Sequence, residues 1–288
     1  MFLYTLRLRE ILRHTVVLFS MLQAIKRVLP LLCLLLFANN LHAQAERWRV
    51  SAFVGPSVAT GTFAKKRLNE DDAAFAKTGI CASISLNYSL HPRYGLATLL
   101  RLQKNGVDTK AMETMSTNGM SSFPYHVSIK SESWKMAIVM MGAYYLLPVN
   151  DKFSFHFTAM AGAVKTAVPT LTQLVYEYVT GYTNGVMEQD TTYTMVTKSS
   201  DPLRWTFAYL GGIGANYNIG KNVFVVASVD YAAAKPTIDR LAQPVTVFIA
   251  TPRGIVTTYT GTIVPTGAPT YRQPLTTLSV SFGAGIAF

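Results

Sequence analysis

From Leu278 to its end the chain alternates without a break. Leu278, Val280, Phe282, Ala284, Ile286 and Phe288 share one parity, and Ser279, Ser281, Gly283, Gly285 and Ala287 share the other. A period of two is the pattern of a strand with one greasy face and one small or polar face. The chain stops on an aromatic residue while the pattern is still running. An apolar strand left at the margin of a sheet has a free edge that invites aggregation. Pairing the last strand with the first removes that edge. The pattern therefore predicts an all-β fold, an antiparallel barrel closed on itself.

Composition agrees. The 288 residues are 50% hydrophobic and only 14% charged. Beyond the N-terminus no run approaches the ~18 apolar residues of a spanning helix. The apolar residues are instead interleaved with polar ones. The formal charge is +11. Residues 1–45 carry five bases (Arg7, Arg9, Arg13, Lys26, Arg27) and one acid (Glu10), which leaves 21 bases against 14 acids. No nucleic-acid motif accompanies this charge, so anionic lipid headgroups or acidic glycans are its expected use. Cys33 falls in the N-terminal segment, leaving Cys81 alone with no intrachain disulfide.

The N-terminus reads as a targeting segment. Lys26-Arg27 precedes an eleven-residue apolar stretch, Val28–Ala38, and then Ala43-Gln44-Ala45. A basic start, an apolar core and an A-x-A site predict a signal peptide over 1–45. Leu31-Leu32 before Cys33 argues against lipidation. Met21 is the more natural start, so residues 1–20 read as a mis-assigned upstream extension. Residues 46–288 then form the barrel.

Eight segments alternate: Arg47–Val54, Ile80–Leu90, Tyr94–Gln103, Trp134–Leu147, Phe153–Val164, Arg204–Asn218, Val223–Ala233 and the terminal strand. Trp134–Leu147 is apolar on both faces, and Trp134, Met136, Ile138, Met140 and Tyr144 are assigned outward. The connections alternate in length. His91-Pro92-Arg93, Pro148–Asp151 and Ile219-Gly220-Lys221 are tight turns, whereas 55–79, 104–133, 165–203 and 234–273 are long. Short turns on one side and long loops on the other mark a transmembrane barrel with periplasmic turns and extracellular loops. An even strand count places both termini in the periplasm.

Aromatic residues supply a ruler. Trp205 and Tyr217 are twelve residues apart on one face, and Trp134 and Tyr144 ten apart. At ~3.3 Å per residue and ~40° tilt these spans are roughly 25–30 Å, the height of an outer-membrane apolar band and its girdles. The expected inner girdle is Trp48, Tyr88, Tyr94, Tyr144, Tyr217 and Phe288. The expected outer girdle is Trp134, Trp205 and Tyr231. In this rhythm and in Phe288 the chain resembles the eight-stranded outer-membrane barrels of the OmpA/OmpX type. The resemblance implies an outer-membrane location, contact with lipid and lipopolysaccharide, and recognition of Phe288 by the barrel-insertion machinery.

An eight-stranded barrel has an interior just filled by side chains. The expected lumen cluster is Arg49, Arg101, Lys135, His156, Arg204 and Asp230, with Arg101, Lys135, Arg204 and Asp230 in the outer half. Loop carboxylates such as Asp108, Glu132 or Asp201 are candidates to balance the bases. His126 and Ser128 lie two apart. Some barrels of this kind that deacylate lipopolysaccharide carry such a His-x-Ser pair, with the His activating the Ser. Their motif continues with Asn, whereas Ile129 follows here. Glu132 is the available acid to orient the imidazole. No other nucleophile set, metal-ligand spacing or phosphate loop stands out, so no catalytic residue, metal or cofactor is expected.

The loops carry further pattern. Leu174–Val179 with Thr191–Val196, and Val245–Ile249 with Ile255–Thr260, read as hairpins. They prolong barrel strands, or else add spanning pairs. Tyr176, Tyr178, Tyr182, Tyr193, Tyr259 and Arg253 suit recognition. The expected role is structural or a surface interaction with a protein or glycan, without nucleic acid. The alternatives are a narrow solute channel and a lipid A deacylase.

Overall fold

The computed structural model describes residues 47–68, 73–118, 125–177, 181–183, 186–188, 191–197, 205–239, 243–251, 254–263 and 270–288. The expected signal segment, Tyr178, Asp201, Arg204 and Arg253 lie outside them. In chain order the first strands are β1 (Trp48–Ala59), β2 (Ala76–His91), β3 (Tyr94–Val107), β4 (Tyr125–Ser131), β5 (Trp134–Pro148) and β6 (Phe153–Ala167). Next come β7 (Leu171–Glu177), β8 (Gly181–Thr183), β9 (Val186–Glu188), β10 (Thr191–Thr197), β11 (Trp205–Asn218) and β12 (Val223–Ala234). The last are β13 (Thr237–Asp239), β14 (Gln243–Thr251), β15 (Gly254–Ile263), β16 (Thr270–Arg272) and β17 (Leu275–Ala287). Two helices interrupt them, α1 (Gly61–Ala64) and α2 (Thr109–Asn118).

Eight strands close into a barrel in the order β1-β17-β12-β11-β6-β5-β3-β2. The terminal strand pairs with the first, from Arg49↔Ala287 to Ala59↔Thr277, so the alternating C-terminus has no free edge. β1 runs five residues beyond its expected end, through Gly55-Pro56. Its register to β17 is the same on both sides of that dipeptide, Val54↔Phe282 and then Ser57↔Ser279. Pro lacks a ladder donor, which is why Gly-Pro reads as a loop from sequence.

On seven strands the alternation points as expected. Val54, Ile80, Ile84, Leu100, Leu102, Phe207, Tyr209 and Phe282 are exposed on the outer wall. Ser51, Ser83, Ser85, Cys81, Arg101, Asn216 and Asp230 are buried inside. β5 is the correction. Trp134, Met136, Ile138, Met140 and Tyr144 face the lumen and are nearly fully buried, while Lys135, Val139, Met141, Tyr145 and Leu147 face out. Trp134 and Tyr144 therefore leave the girdles, and Lys135 leaves the lumen.

The opposite wall explains the inversion. β17 and β1 lie diametrically across the barrel from β5 and β6. Toward the middle and the loop end most of their inward residues are small, Ser51, Ser57, Ser279 and Ser281, with Gly285 nearer the turn end. Close packing demands bulk on the other side. β5 and β6 supply it with Trp134, Met136, Ile138, Met140, Met160 and Val164, all in one buried cluster. Tyr144 also needs a gap, and its cross-strand partner is Gly95. A Cβ at Gly95 would stand 2.9 Å from the Tyr144 hydroxyl oxygen.

The turn-end girdle of the outer wall comprises Trp48, Tyr88, Tyr94, Tyr145 and Tyr217. Trp48 and Tyr88, paired across β1 and β2, pack with their rings tilted at 52° and centroids 4.7 Å apart. Trp205 and Tyr231 stand exposed on the outer wall toward the loop end. Phe288 follows β17 and is half-buried.

A second sheet has the order β15-β14-β10-β7-β4. It repeats the barrel. β4, β7, β10, β14 and β15 adjoin β5, β6, β11, β12 and β17 in the chain, and their pairings follow the same neighbour order. The connection from β4–β7 to β5–β6 keeps the ladder alive, since Glu132 N–H donates to the Thr170 carbonyl at 3.0 Å. β13–β16 bridges β12–β17 to β14–β15 in the same way. The two expected hairpins are thus the pairs β7–β10 and β14–β15, and neither joins the closed barrel. At one margin of this sheet α2 guards β4: Ile129 N–H donates to the Glu113 carboxylate at 2.6 Å. A charged group on an edge strand is a recognised protection against further pairing.

Candidate functional site: the lumen and its lid

Arg101 sits on β3 and Asp230 on β12, diametrically opposite strands. Each lies seven residues from the turn end of its strand, Arg101 six and Asp230 four from the loop end, so the pair sits at mid-depth and slightly toward the loops. Arg101 Nη2 donates to Asp230 Oδ2 at 2.7 Å across the barrel, and its Nε–H donates to Ser83 Oγ at 2.9 Å. The Ser228 hydroxyl donates to the same carboxylate oxygen at 3.4 Å. Side-chain exposure is 2% for Arg101 and 10% for Asp230, which makes this a buried pair. The neighbouring strand β11 leaves room for it. A Cβ at Gly212 would strike the Asp230 carboxylate, and one at Gly214 the His156 ring.

Beneath the pair, toward the turn end, a cavity of about 60 Å³ remains, bordered by Arg49, Asn87, Arg101, His156, Asn216 and Asp230. Arg49 is half-buried, with its guanidinium 6.0 Å from the centre of the Phe224 ring.

Above the pair the lumen is closely filled, with buried Ser57, Gln103, Asn105 and Ser279 beside an apolar layer. Met136, Ile138, Val164, Ala208, Ala232 and Leu275 pack into one apolar layer that leaves a void of only about 10 Å³. The connection from β1 to β2 closes over it. Phe63 of α1 is fully buried and meets Trp134 edge-on at 5.5 Å, and Trp134 Nε1–H donates to the Ala74 carbonyl at 3.3 Å. Phe75 holds a left-handed φ of 50°, an uncommon conformation for a large side chain. It is fixed by its N–H to the Lys65 carbonyl and by Asp108 N–H to its own carbonyl. The Asp108 carboxylate, just beyond β3, binds Lys66 at 2.7 Å and Lys77 at 3.3 Å. These contacts, Lys66 first, hold its pKa below the ordinary carboxylate value, against the opposing effect of burial.

The expected lumen set is thus partly assembled. Arg49, Arg101, His156 and Asp230 border one cavity. Lys135 does not join them; it faces out near Glu132, at 4.0 Å and with both side chains more than half exposed. Asp108 serves the lid and not the lumen bases. Lid residues Phe63, Ala74 and Phe75 were not among the expected site residues, because the stretch 60–75 has no periodicity to read. His126 and Ser128 both lie on β4, opposite Tyr176 and Leu174 of β7. Among the described residues no group of three or more His, Cys, Asp or Glu could hold a metal ion.

No family model matches the chain, and no curated protein matches its sequence. Solved structures match at low identity. Neisserial surface protein A covers 84% of this chain and 97% of its own length, at 11% identity and a TM-score of 0.38. Ail, the attachment invasion locus protein of Yersinia pestis, covers 84% and 99%, at 13% identity and 0.35. The outer membrane protein OprG of Pseudomonas aeruginosa covers 85% and 97%, at 10% identity and 0.38. These figures transfer no role to the present chain. On its own architecture, a closed eight-stranded barrel with an apolar outer wall, the chain is a β-barrel of the outer-membrane type.

Proposed function

We propose that this protein works by surface interaction, with the barrel as a rigid anchor and the loop-end sheet as the binding element. One observation carries the reading: five of the eight barrel strands are prolonged into a single sheet in the same neighbour order. Binding surfaces are commonly built from loops held on rigid scaffolds, and here the loops are themselves paired strands. The register groups Val127, Val175, Tyr193, Val247 and Tyr259 into one cross-strand row, buried at its Val127 end, with Thr-rich rows on the alternate parity. Rows of aromatic and β-branched residues suit a protein or glycan partner.

In this reading the turn end and both termini face the periplasm, and the loop-end sheet faces outward. The N-terminal segment directs export and is removed. Phe288 serves recognition by the insertion machinery, and the outward bases meet lipopolysaccharide. The lumen filling argues against solute passage. The barrel is not an enzyme. His126 and Ser128 are tested by comparing lipid A from cells expressing the wild type and Ser128→Ala; an acyl chain missing only with the wild type refutes the non-enzymatic reading.

The decisive experiment joins planar-bilayer conductance to partner capture by a variant whose arms 165–203 and 234–273 are cut to short turns. No steady openings and lost capture are expected. Steady openings with unchanged capture overturn the proposal.

A further inference from the structure

The cavity below the Arg101–Asp230 pair has an imbalance of donors. Arg49 Nε and Arg101 Nη1 are buried there without a partner, as is His156 Nδ1. Guanidinium nitrogens can only donate. Arg101 is 2% exposed, so its orphaned Nη1 has no route to bulk solvent. Among the described residues one carboxylate, Asp230, borders the space, and its Oδ2 is engaged, accepting from both Arg101 and Ser228 of the same wall. Formal charge around the cavity is two bases against one acid.

A water molecule could accept from both guanidinium groups but would leave the excess charge unanswered. An uncompensated buried cation is expensive, whereas an anion answers both the donors and the charge. A cavity of about 60 Å³ excludes bulky organic acids. Above, the closely packed side chains and the fully buried Phe63 fill the barrel. Arg49 is the second residue of β1, at the turn end, and is the less buried of the two bases. Entry is therefore from the turn end.

We propose that this cavity is a binding site for one compact monovalent inorganic anion of chloride size, held between Arg49 Nε and Arg101 Nη1. It is a blind pocket and not a conducting path, so it stands whether or not the loop-end sheet binds a partner.

Chloride-35 line broadening tests it on the folded barrel in detergent, titrating chloride into gluconate at constant ionic strength. Saturable broadening that bromide competes away is expected. Arg49→Gln should weaken the site about tenfold or more, the usual scale of a charge-assisted hydrogen bond. Lys135→Gln removes one outward positive charge and should change nothing, which controls for bulk attraction. Unboiled gel mobility verifies that each variant is folded. Crystals soaked in bromide give a second readout independent of any variant, an anomalous peak between Arg49 and Arg101. Broadening that never saturates, equal loss in both variants, or density for water only in bromide-soaked crystals refutes the site.

Discussion

Changing Asp230 to Asn removes the only carboxylate facing Arg101 among the described residues while keeping nearly the same shape. Arg101 would remain 2% exposed, with Ser83 Oγ and at most a neutral amide oxygen as side-chain acceptors and no protein carboxylate among the described residues to balance its charge. Breaking one partner of a buried ion pair costs about 3–5 kcal/mol, against ~0–1 kcal/mol for a solvated surface pair. The burial on both sides selects the larger figure. The assay is urea unfolding in lipid vesicles, followed by the shift between unboiled and boiled gel mobility and by tryptophan fluorescence. The paired change Arg101→Met with Asp230→Leu removes both charges together. It should return stability to within ~1 kcal/mol of the wild type, since well-packed apolar replacements of buried pairs are often neutral or better. A loss under ~1 kcal/mol for Asp230→Asn would mean a wet lumen at this depth. A double variant as weak as the single one would mean that the cost is steric and not electrostatic. Either result refutes the dry cross-lumen pair.

The face of β5 is tested by neighbours of opposite parity: Met140→Ala should cost ~2–4 kcal/mol by leaving a cavity, and Met141→Ala under ~1 kcal/mol, in the same unfolding assay. Equal costs would return β5 to the orientation expected from its sequence. The lid responds to acid. Asp108 has a lowered pKa, so its contribution is present above the ordinary carboxylate value and is lost as pH falls through the lower folded one. Its lysine partners are about half exposed, which limits the effect to ~1 kcal/mol or less. Limited proteolysis of the 60–75 connection should be flat from about pH 5 to 9 and should rise below about pH 4; a rise near neutrality contradicts this. Export should remove residues 1–45 without lipidation, and an intact mass retaining Lys26-Arg27 or acyl mass on Cys33 would show otherwise.

Most of the barrel was legible because alternation reports which side of a strand meets lipid. Ile80–Leu90 is the clearest case, with every apolar residue on one parity and Ser, Asn or Cys on the other. β5 failed for the complementary reason: Trp134–Leu147 is apolar on both parities, so hydrophobicity had no contrast to report. The information lay elsewhere, in the serines of β1 and β17 that leave space across the barrel and in Gly95 beside Tyr144. Volume across a lumen is a non-local property, invisible to a period count. The lid was hidden for a related reason. Phe63 and Phe75 look like isolated loop aromatics until Trp134 turns inward to meet Phe63. Arg49, Arg101, His156 and Asp230 lie on the inner parity of clearly alternating strands and border one cavity, whereas Lys135 followed β5 outward.

Arg101 and Asp230 are 129 residues apart in the chain and four strands apart in the closed ring, half its circumference. In a flat sheet of the same strands, four strand spacings of ~4.8 Å would hold them roughly 19 Å apart, each unpaired among apolar neighbours. Only a sheet curled through half a turn lets them touch. The pair therefore favours curvature itself, and does so before β1 and β17 have exchanged a single hydrogen bond. During assembly it biases the growing sheet toward the shape in which its two ends can find each other, so the tendency to close is carried in part by two charges far from the seam.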